Sequence, residues 1–442
     1  MTAHRPRPQT PAPLQIPDLT LPRDDTTTVR RLIVRDTRRW TAALRAFPLA
    51  RLHPDERALF AAAATAFSAL QERDAGRAGA VLRLPTLAVL LELTAKEGAG
   101  ADEAALRARG REIAALLLLE LAALGALPPE GVAVQRPEAG WPILRTLSAR
   151  LELHVEGSVS TLRFLPGALA LRAGTDAETS LALADAQTLP GLCRVERPYH
   201  EIVPGLLLAV SDNNPLSDFE AHPDKDGNAL DLGGRPAEAW TAMLRDAVEL
   251  VQTHLPLLAE EMRLLLRLVV PVGYDAEKHL SASYQEYVGA IYMTLHPNLM
   301  TMTEALIHEF QHNKINAAFH HDPMLHNAFW PLVQSPVRPD PRPLHGVVLA
   351  VHAFQPVATL YRAMADAGHP MAQSRDWQRR AGVILGKIHD GAVTVLGQGE
   401  PTPVGRQLMQ EMRALDVDLM RDGTQRGWLL APEAVAAGGD EP

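Results

Sequence analysis

The pentapeptide His308-Glu309-Phe310-Gln311-His312 has the HExxH pattern, which combines two metal-binding side chains with a carboxylate. Residues four apart lie on one face of a helix, where two imidazoles can bind one divalent metal ion. Residues 301–304, Thr-Met-Thr-Glu, have the form of a capping box, and the apolar residues 305–307 follow them. We therefore predict a metal site on a helix that begins just upstream of the motif, with two structural histidines as the alternative.

A metal held by two histidines needs a third protein ligand, whose identity only partly separates a zinc hydrolase from an iron oxygenase. The extended pattern HExxHxxGxxH is absent, because Ile315 and Ala318 occupy the positions of its glycine and third histidine. His345 and His352 lie seven residues apart in the apolar segment 344–354 and share one face of a predicted helix. We expect His352 to be the ligand, with His345 second; hydrogen-bonded core histidines are the alternative.

The segment 330–343, between the two predicted ligand helices, contains five prolines in fourteen residues. Proline restricts the backbone to extended or turn conformations, so this loop is expected to be rigid. A rigid loop can present Arg338 or Arg342 as a preorganised donor pair for a carboxylate. The alternative is that these arginines pair with Asp322 or Asp340, or face solvent.

The elements that must position these residues are mainly helical, so the predicted fold class is mainly α with a small β component (α+β). Apolar periodicity predicts nine helices. They are expected at 36–47, 54–76, 86–98, 102–127, 236–266, 302–320, 345–367, 372–397 and 403–421. Alternating patterns predict short strands between 151 and 210, at 267–272 and at 281–295.

Composition and pattern together divide the chain into five predicted parts. They are a flexible arm at 1–25, a helical region at 26–150, a β-containing segment at 151–235, an HExxH metal-binding catalytic domain at 236–430 and a flexible tail at 431–442. About half of the chain is thus not needed to build the metal site, and peptide recognition is the simplest hypothesis for it.

Global composition excludes several classes of protein. Of the 442 residues, 47% are hydrophobic and 21% charged, which is typical of a globular protein, and the net charge of −9 argues against a general binder of nucleic acid or anionic membranes. Cys193 is the only cysteine, so a metal must be held by His, Asp or Glu. The most apolar run, 114–127, is too short to cross a bilayer, and no signal peptide is recognisable, so a cytoplasmic location is expected.

Several segments between 281 and 361 resemble one known family. They are Ser-Ala-Ser at 281–283, Gly-Ala-Ile-Tyr-Met at 289–293, Ala-Leu-Ile-His-Glu-Phe-Gln-His-Asn-Lys at 305–314, Ser-Pro-Val-Arg-Pro-Asp-Pro-Arg-Pro-Leu-His-Gly at 335–346 and His-Ala-Phe at 352–354. Together they resemble the HExxH-motif peptide-modification proteins of ribosomal natural-product clusters, which are α-ketoglutarate-dependent peptide β-hydroxylases. The resemblance covers roughly the last 180 residues.

This resemblance implies an Fe(II) ion held by His308, His312 and a third downstream histidine, with His345 and His352 both open. It also implies α-ketoglutarate (2-oxoglutarate) and O₂ as co-substrates, an arginine near the Pro-rich loop for the distal carboxylate, and a precursor peptide as the substrate. Glu309 would then orient ligands or water. The alternatives are a zinc metallopeptidase, in which Glu309 is the general base acting on water bound to Zn(II), and a noncatalytic peptide-binding scaffold.

Overall fold

The structure is a computed structural model that describes residues 14–217, 229–334 and 340–429. In these residues the structure is 52% helical with 16% strand, and it combines eleven helices with small sheets. The predicted class, mainly α with a small β component, is confirmed.

The helices of the described residues are α1 Thr27–Arg45, α2 Pro54–Arg73, α3 Ala75–Leu82, α4 Pro85–Glu97, α5 Glu103–Ala123, α6 Ala237–His254, α7 Pro256–Leu265, α8 Leu299–Phe319, α9 Leu344–Asp366, α10 Arg375–Gln398 and α11 Pro403–Gln425. The strands are β1 Val132–Gln135, β2 Leu144–Thr146, β3 Leu151–Val155, β4 Val159–Leu165, β5 Ala168–Ala173, β6 Thr179–Ala182, β7 Cys193–Glu196, β8 Tyr199–Val203, β9 Leu206–Ala209, β10 Leu268–Tyr274, β11 Ser281–Ala282, β12 Ala290–Leu295, β13 Leu332–Val333 and β14 Arg342–Pro343.

The chain forms two compact units. The central unit is Arg30–Asn313, and the terminal unit combines Met1–Val29 with Lys314–Pro442. This division differs from the linear one expected from composition, because the boundaries at 150 and 235 both lie inside the central unit. The predicted catalytic domain at 236–430 is instead divided within α8.

The core of the central unit is built mostly from α2, α4, α5 and the strands that follow them. Helix α5 is apolar on all sides between residues 113 and 122, and each of these residues is buried. A helix that is apolar all round is stable only when its whole circumference is covered. The buried Glu120 on this helix is compensated by hydroxyl donors from Thr146 and Ser148.

The described residues of the central unit form three sheets. Their strand orders are β1-β4-β5-β6, β2-β3-β7 and β11-β12-β10-β9-β8. In the five-stranded sheet β12 runs parallel to β10 and antiparallel to β11, and all six of its residues are buried. Strand β12 leads directly into α8, so the metal-binding motif follows a buried strand of the mixed sheet.

Three sequence expectations about these elements are wrong in detail. The predicted strand at 281–295 is two strands, because the chain turns between Tyr284 and Tyr287 and Gly289 adopts a left-handed φ of 101°. The helix at 236–266 breaks before Pro256, whose ring cannot donate an amide hydrogen bond to the preceding turn. The helix at 54–76 ends at Arg73, and Asp74 then caps α3.

Residues 14–25, expected to belong to a frayed arm, are instead packed within the terminal unit. Ile16 and Leu19 are fully buried. The carboxylate of Glu411 on α11 accepts backbone hydrogen bonds from Thr20, at 2.9 and 3.0 Å, and from Leu21, at 2.9 Å. The arm prediction is therefore wrong for this segment, while residues 1–13 and the predicted tail at 431–442 lie outside the described residues.

Helix α9 has the length and hydropathy of a membrane span, and the pair α3 and α4 passes the same test if its 79° bend is treated as one broken span. In α9, however, 78% of the apolar window is buried inside the protein. That degree of burial is typical of a core helix, whose apolar surface is covered by the rest of the protein.

Candidate metal centre

Helix α8 carries the HExxH motif and begins at Leu299, two residues before the predicted capping box. The side-chain oxygen of Asn298 accepts a hydrogen bond from the backbone N–H of Thr301 at 3.2 Å, so Asn298 caps the helix. The Thr303 hydroxyl donates to the carbonyl of Leu299 inside the first turn. The helix was thus predicted correctly, but the residue assigned to its cap was wrong.

The two motif histidines converge in space. The Nε2 atoms of His308 and His312 are 2.8 Å apart, and their ring planes are almost perpendicular, at 87°. Two neutral imidazoles that face each other with lone pairs at this distance repel unless a proton or a cation lies between them. Nitrogens bound to one metal at about 2.0–2.1 Å lie roughly 3 Å apart when the bonds are near right angles. The pair therefore fits a shared metal ion.

Burial lowers the pKa of His312, and the nearby charge of Glu309 only partly opposes this shift. The imidazole is consequently neutral near pH 7 and keeps the lone pair that a metal requires. His308, Glu309 and His312 offer ligand atoms that all lie within 4.8 Å of one another. The site thus places a carboxylate beside two imidazoles that are suited to zinc or ferrous iron.

Glu309 is buried, and its two carboxylate oxygens are engaged by different hydroxyl groups. Ser281 donates to Oε1 and Ser283 to Oε2, each at 2.7 Å. Because both oxygens accept a short hydrogen bond, the carboxylate is held in one orientation. The two donors come from β11 and from the residue that follows it. In the sequence this Ser-Ala-Ser segment contributes only to the family resemblance, and no role could be predicted for its serines.

Asn313 is a second residue that sequence reasoning missed. Its side chain is fully buried and accepts the backbone N–H of Gly289 at 2.6 Å. Its amide nitrogen donates to the carbonyls of Ala290 and Glu309 and to the Ser283 hydroxyl. Asn313 therefore joins the start of β12 and the serine loop to the metal-binding helix, and its position four residues after Glu309 is the signal that could have identified it.

The two candidate third ligands lie in the terminal unit, on α9. His352 is fully buried, and its Nε2 is 3.4 Å from the carbonyl oxygen of Leu19. The ring of His345 packs against Phe319 and Phe329, with centroid distances of 4.6 and 5.2 Å. The helix and the shared face were predicted correctly, whereas a ligand role for either histidine stays a prediction.

The two arginines proposed for a carboxylate have different outcomes. Arg342 lies in β14, and its Nε donates to the carboxylate of Asp340 at 3.1 Å. This is the pairing named as the alternative in the sequence. Asp322, the other suggested partner, accepts instead from Thr402 and from the N–H of Met324. Arg338 lies outside the described residues.

A second group of possible metal ligands consists of Glu152, His154 and Glu196 in the central unit. Burial alone would raise the pKa of Glu152, but donors from Ser211 and Tyr199 and the charge of Arg145 hold it below its usual range. With these partners the carboxylate is already compensated. We interpret this group as a structural network of β3, β7 and β8, not as a metal site.

No protein-family model matches this chain, and no curated protein matches its sequence.

Proposed function

We propose that the protein is a 2-oxoglutarate-dependent non-haem iron dioxygenase that hydroxylates a β-carbon in a ribosomally made precursor peptide. The observation that carries the proposal is the division of roles within the motif. The Nε2 atoms of His308 and His312 converge to 2.8 Å, while both carboxylate oxygens of Glu309 are held by serine hydroxyls.

This arrangement favours an oxygenase over a zinc peptidase. A general base must have a carboxylate oxygen free to take a proton from metal-bound water. Here Ser281 and Ser283 each hold one oxygen of Glu309 in the resting geometry, so the carboxylate is not free to turn toward such a water molecule. An oxygenase needs no such base, and a carboxylate anchored in this way can serve to fix the orientation of its neighbours.

In the proposed reaction Fe(II) supplies the O₂ chemistry, and the protein supplies binding, orientation and exclusion of water. His308 and His312 hold the metal with a third histidine, for which His345 and His352 remain the candidates. Arg342 or Arg338 is proposed to bind the distal carboxylate of α-ketoglutarate. For Arg342 this requires breaking its ion pair with the exposed Asp340 and binding the co-substrate carboxylate instead. The cost is small, because a surface ion pair contributes only about 0–1 kcal/mol.

The proposed partner is the precursor peptide, and the proposed location is the cytoplasm, where such peptides are made. The protein's negative charge and single cysteine are compatible with both.

The proposal is tested by mass spectrometry of a precursor peptide encoded beside this gene, after co-expression with the protein. We expect the peptide to gain the mass of one oxygen atom, and the gain to vanish with His308→Ala or His312→Ala. A peptide that is cut without α-ketoglutarate would instead identify a peptidase.

Thr301→Ala provides a control on the same helix, because it changes a partly exposed side chain in the first turn, away from the motif. It should leave the mass gain in place. Circular dichroism of each variant separates loss of the site from loss of the fold.

A further inference from the structure

A groove runs between α1 and α3 on the surface of the central unit, with a volume of about 580 Å³. One side is a stripe of α1 residues three or four apart, which includes Val34, Arg38 and Arg45. On the other side Gly79 lets α3 approach α1, because a Cβ there would lie 3.2 Å from the Thr37 methyl group. The volume is within the range of ligand-binding sites in proteins, roughly 300–1,000 Å³.

The groove is basic in an acidic protein. Arg38, Arg45 and Arg83 line it, and none of the described lining residues is acidic. The whole chain carries a net charge of −9, whereas the groove lining has three arginines and no carboxylate. An anionic ligand is therefore attracted to it.

Two of these arginines have N–H groups for which the described residues provide no hydrogen-bond acceptor. Arg83 donates through one terminal nitrogen to the carbonyl of Leu264 at 2.8 Å, but its buried Nε has no partner there. No described residue accepts from the exposed Arg38, whereas Arg45 donates only to the side chain of Gln71. A buried N–H without an acceptor costs about 1–3 kcal/mol, which a bound carboxylate recovers.

The groove also has an apolar component. Val34 is 47% exposed, and Ile33 and Ala42 extend the apolar surface beside the arginines. A phosphate ion or a polynucleotide backbone needs only the charges and gains nothing from these side chains. A peptide that alternates acidic and apolar residues matches both components.

From this combination we infer that the α1–α3 groove binds an acidic, apolar segment of the peptide substrate, at a distance along the chain from the metal-binding motif. The inference rests on the proposed function for the identity of the peptide, and on the groove itself for the chemistry of the segment. It assigns the helical region a role in holding the substrate.

Binding is tested with a fluorescein-labelled peptide of Glu and Leu, measured by fluorescence anisotropy on the full chain. The Arg38→Glu/Arg45→Glu variant should weaken binding about tenfold or more, and added salt should weaken wild-type binding because these charges are exposed. Ala42→Trp, which fills the groove from an exposed position, should also weaken it. Arg136→Glu/Arg413→Glu makes the same charge change at two exposed arginines outside the groove and should bind like the wild type.

Equal affinity of the wild type and the Arg38→Glu/Arg45→Glu variant would overturn the inference. So would stronger binding of a single-stranded oligonucleotide than of the acidic peptide. The readout needs neither iron nor α-ketoglutarate, and His308→Ala protein should bind the peptide normally. Loss of peptide binding without loss of hydroxylation, or the reverse, therefore separates a failure of this inference from a failure of the proposed function.

Discussion

Glu309 is the residue for which an iron oxygenase and a zinc peptidase make the most different demands. In a peptidase its carboxylate takes a proton from metal-bound water, and in an oxygenase it has no proton to move. The hydroxyls of Ser281 and Ser283 hold both of its oxygens at 2.7 Å. We therefore assign Glu309 a positioning role.

This role predicts how Glu309→Gln behaves. The amide retains one acceptor oxygen, so the variant should bind metal about 10–100-fold more weakly yet remain active when the metal is saturating. Metal affinity and turnover are measured separately, by anaerobic titration and by oxygen incorporation into the peptide. Unchanged metal affinity with a rate loss of about 10²–10⁴ would instead identify a general base.

Cys193 gives an independent test of the fold at the residue scale. Burial, together with the charge of Glu156, raises the pKa of its thiol to about 11, so almost no thiolate exists at pH 8. We expect an aromatic disulfide reagent to label the native protein very slowly and the denatured protein at once. Rapid labelling of native protein at pH 8 would place this thiol at the surface and contradict the burial of Cys193.

At the scale of elements, the order of helices and strands could be predicted well where periodicity is strong, as in α8 to α11. The predictions failed where a local signal competes with packing. Thr301 and Glu304 match a capping box, yet the helix begins earlier because Asn298 also offers a side-chain acceptor. Likewise, the apolar pattern at 281–295 gave no sign that the loop before Gly289 turns back toward α8.

Asn313 connects that loop to α8 and carries a prediction of its own. Asn313→Ala removes the acceptor for Gly289 and three donor contacts from a buried position, so it should destabilise the central unit by about 2–4 kcal/mol. It should also weaken metal binding through Ser283. Asn313→Asp keeps the acceptor for Gly289 but places a carboxylate oxygen against the backbone carbonyls of Ala290 and Glu309, so it should cost at least as much. A much smaller loss than that of Asn313→Ala in denaturant unfolding would show that the donor contacts are unimportant.

In the terminal unit, Glu411 links α11 to the segment 14–25. Glu411→Ala leaves the backbone N–H groups of Thr20 and Leu21 without their acceptor and removes a charge near the buried Lys314. We expect a destabilisation of about 3 kcal/mol and faster hydrogen–deuterium exchange in residues 14–25. Gln410→Ala, an exposed neighbour on the same helix, should leave the exchange unchanged. Slow exchange in both variants would contradict the packing described for this segment.

At the scale of the whole molecule, the chain is not divided in the order of its sequence. Composition suggested an arm, a helical region, a β segment and a catalytic domain in succession. Instead, Met1–Val29 and Lys314–Pro442 together form one compact unit, the terminal unit. Two apolar residues of the first segment, Ile16 and Leu19, are buried within it. A few apolar residues in a Pro- and Thr-rich segment give little local signal, so burial of this kind could not be read from composition.

The same limit applies to the site. His308 and His312 could be predicted because a fixed spacing on one helix places their side chains together. Ser281, Ser283 and Asn313 could not, because their contacts depend on how β11, β12 and α8 pack. The different roles of the two histidines and of the anchored carboxylate could therefore be assigned only from the folded structure.

The most direct test of the central claim is anaerobic titration of the protein with Fe(II) and α-ketoglutarate, followed by visible absorption. The account predicts a charge-transfer band that requires both additions, is absent from folded His308→Ala protein and decays on exposure to O₂. No band in the wild type, together with zinc-dependent peptide cleavage that needs no α-ketoglutarate, would contradict it.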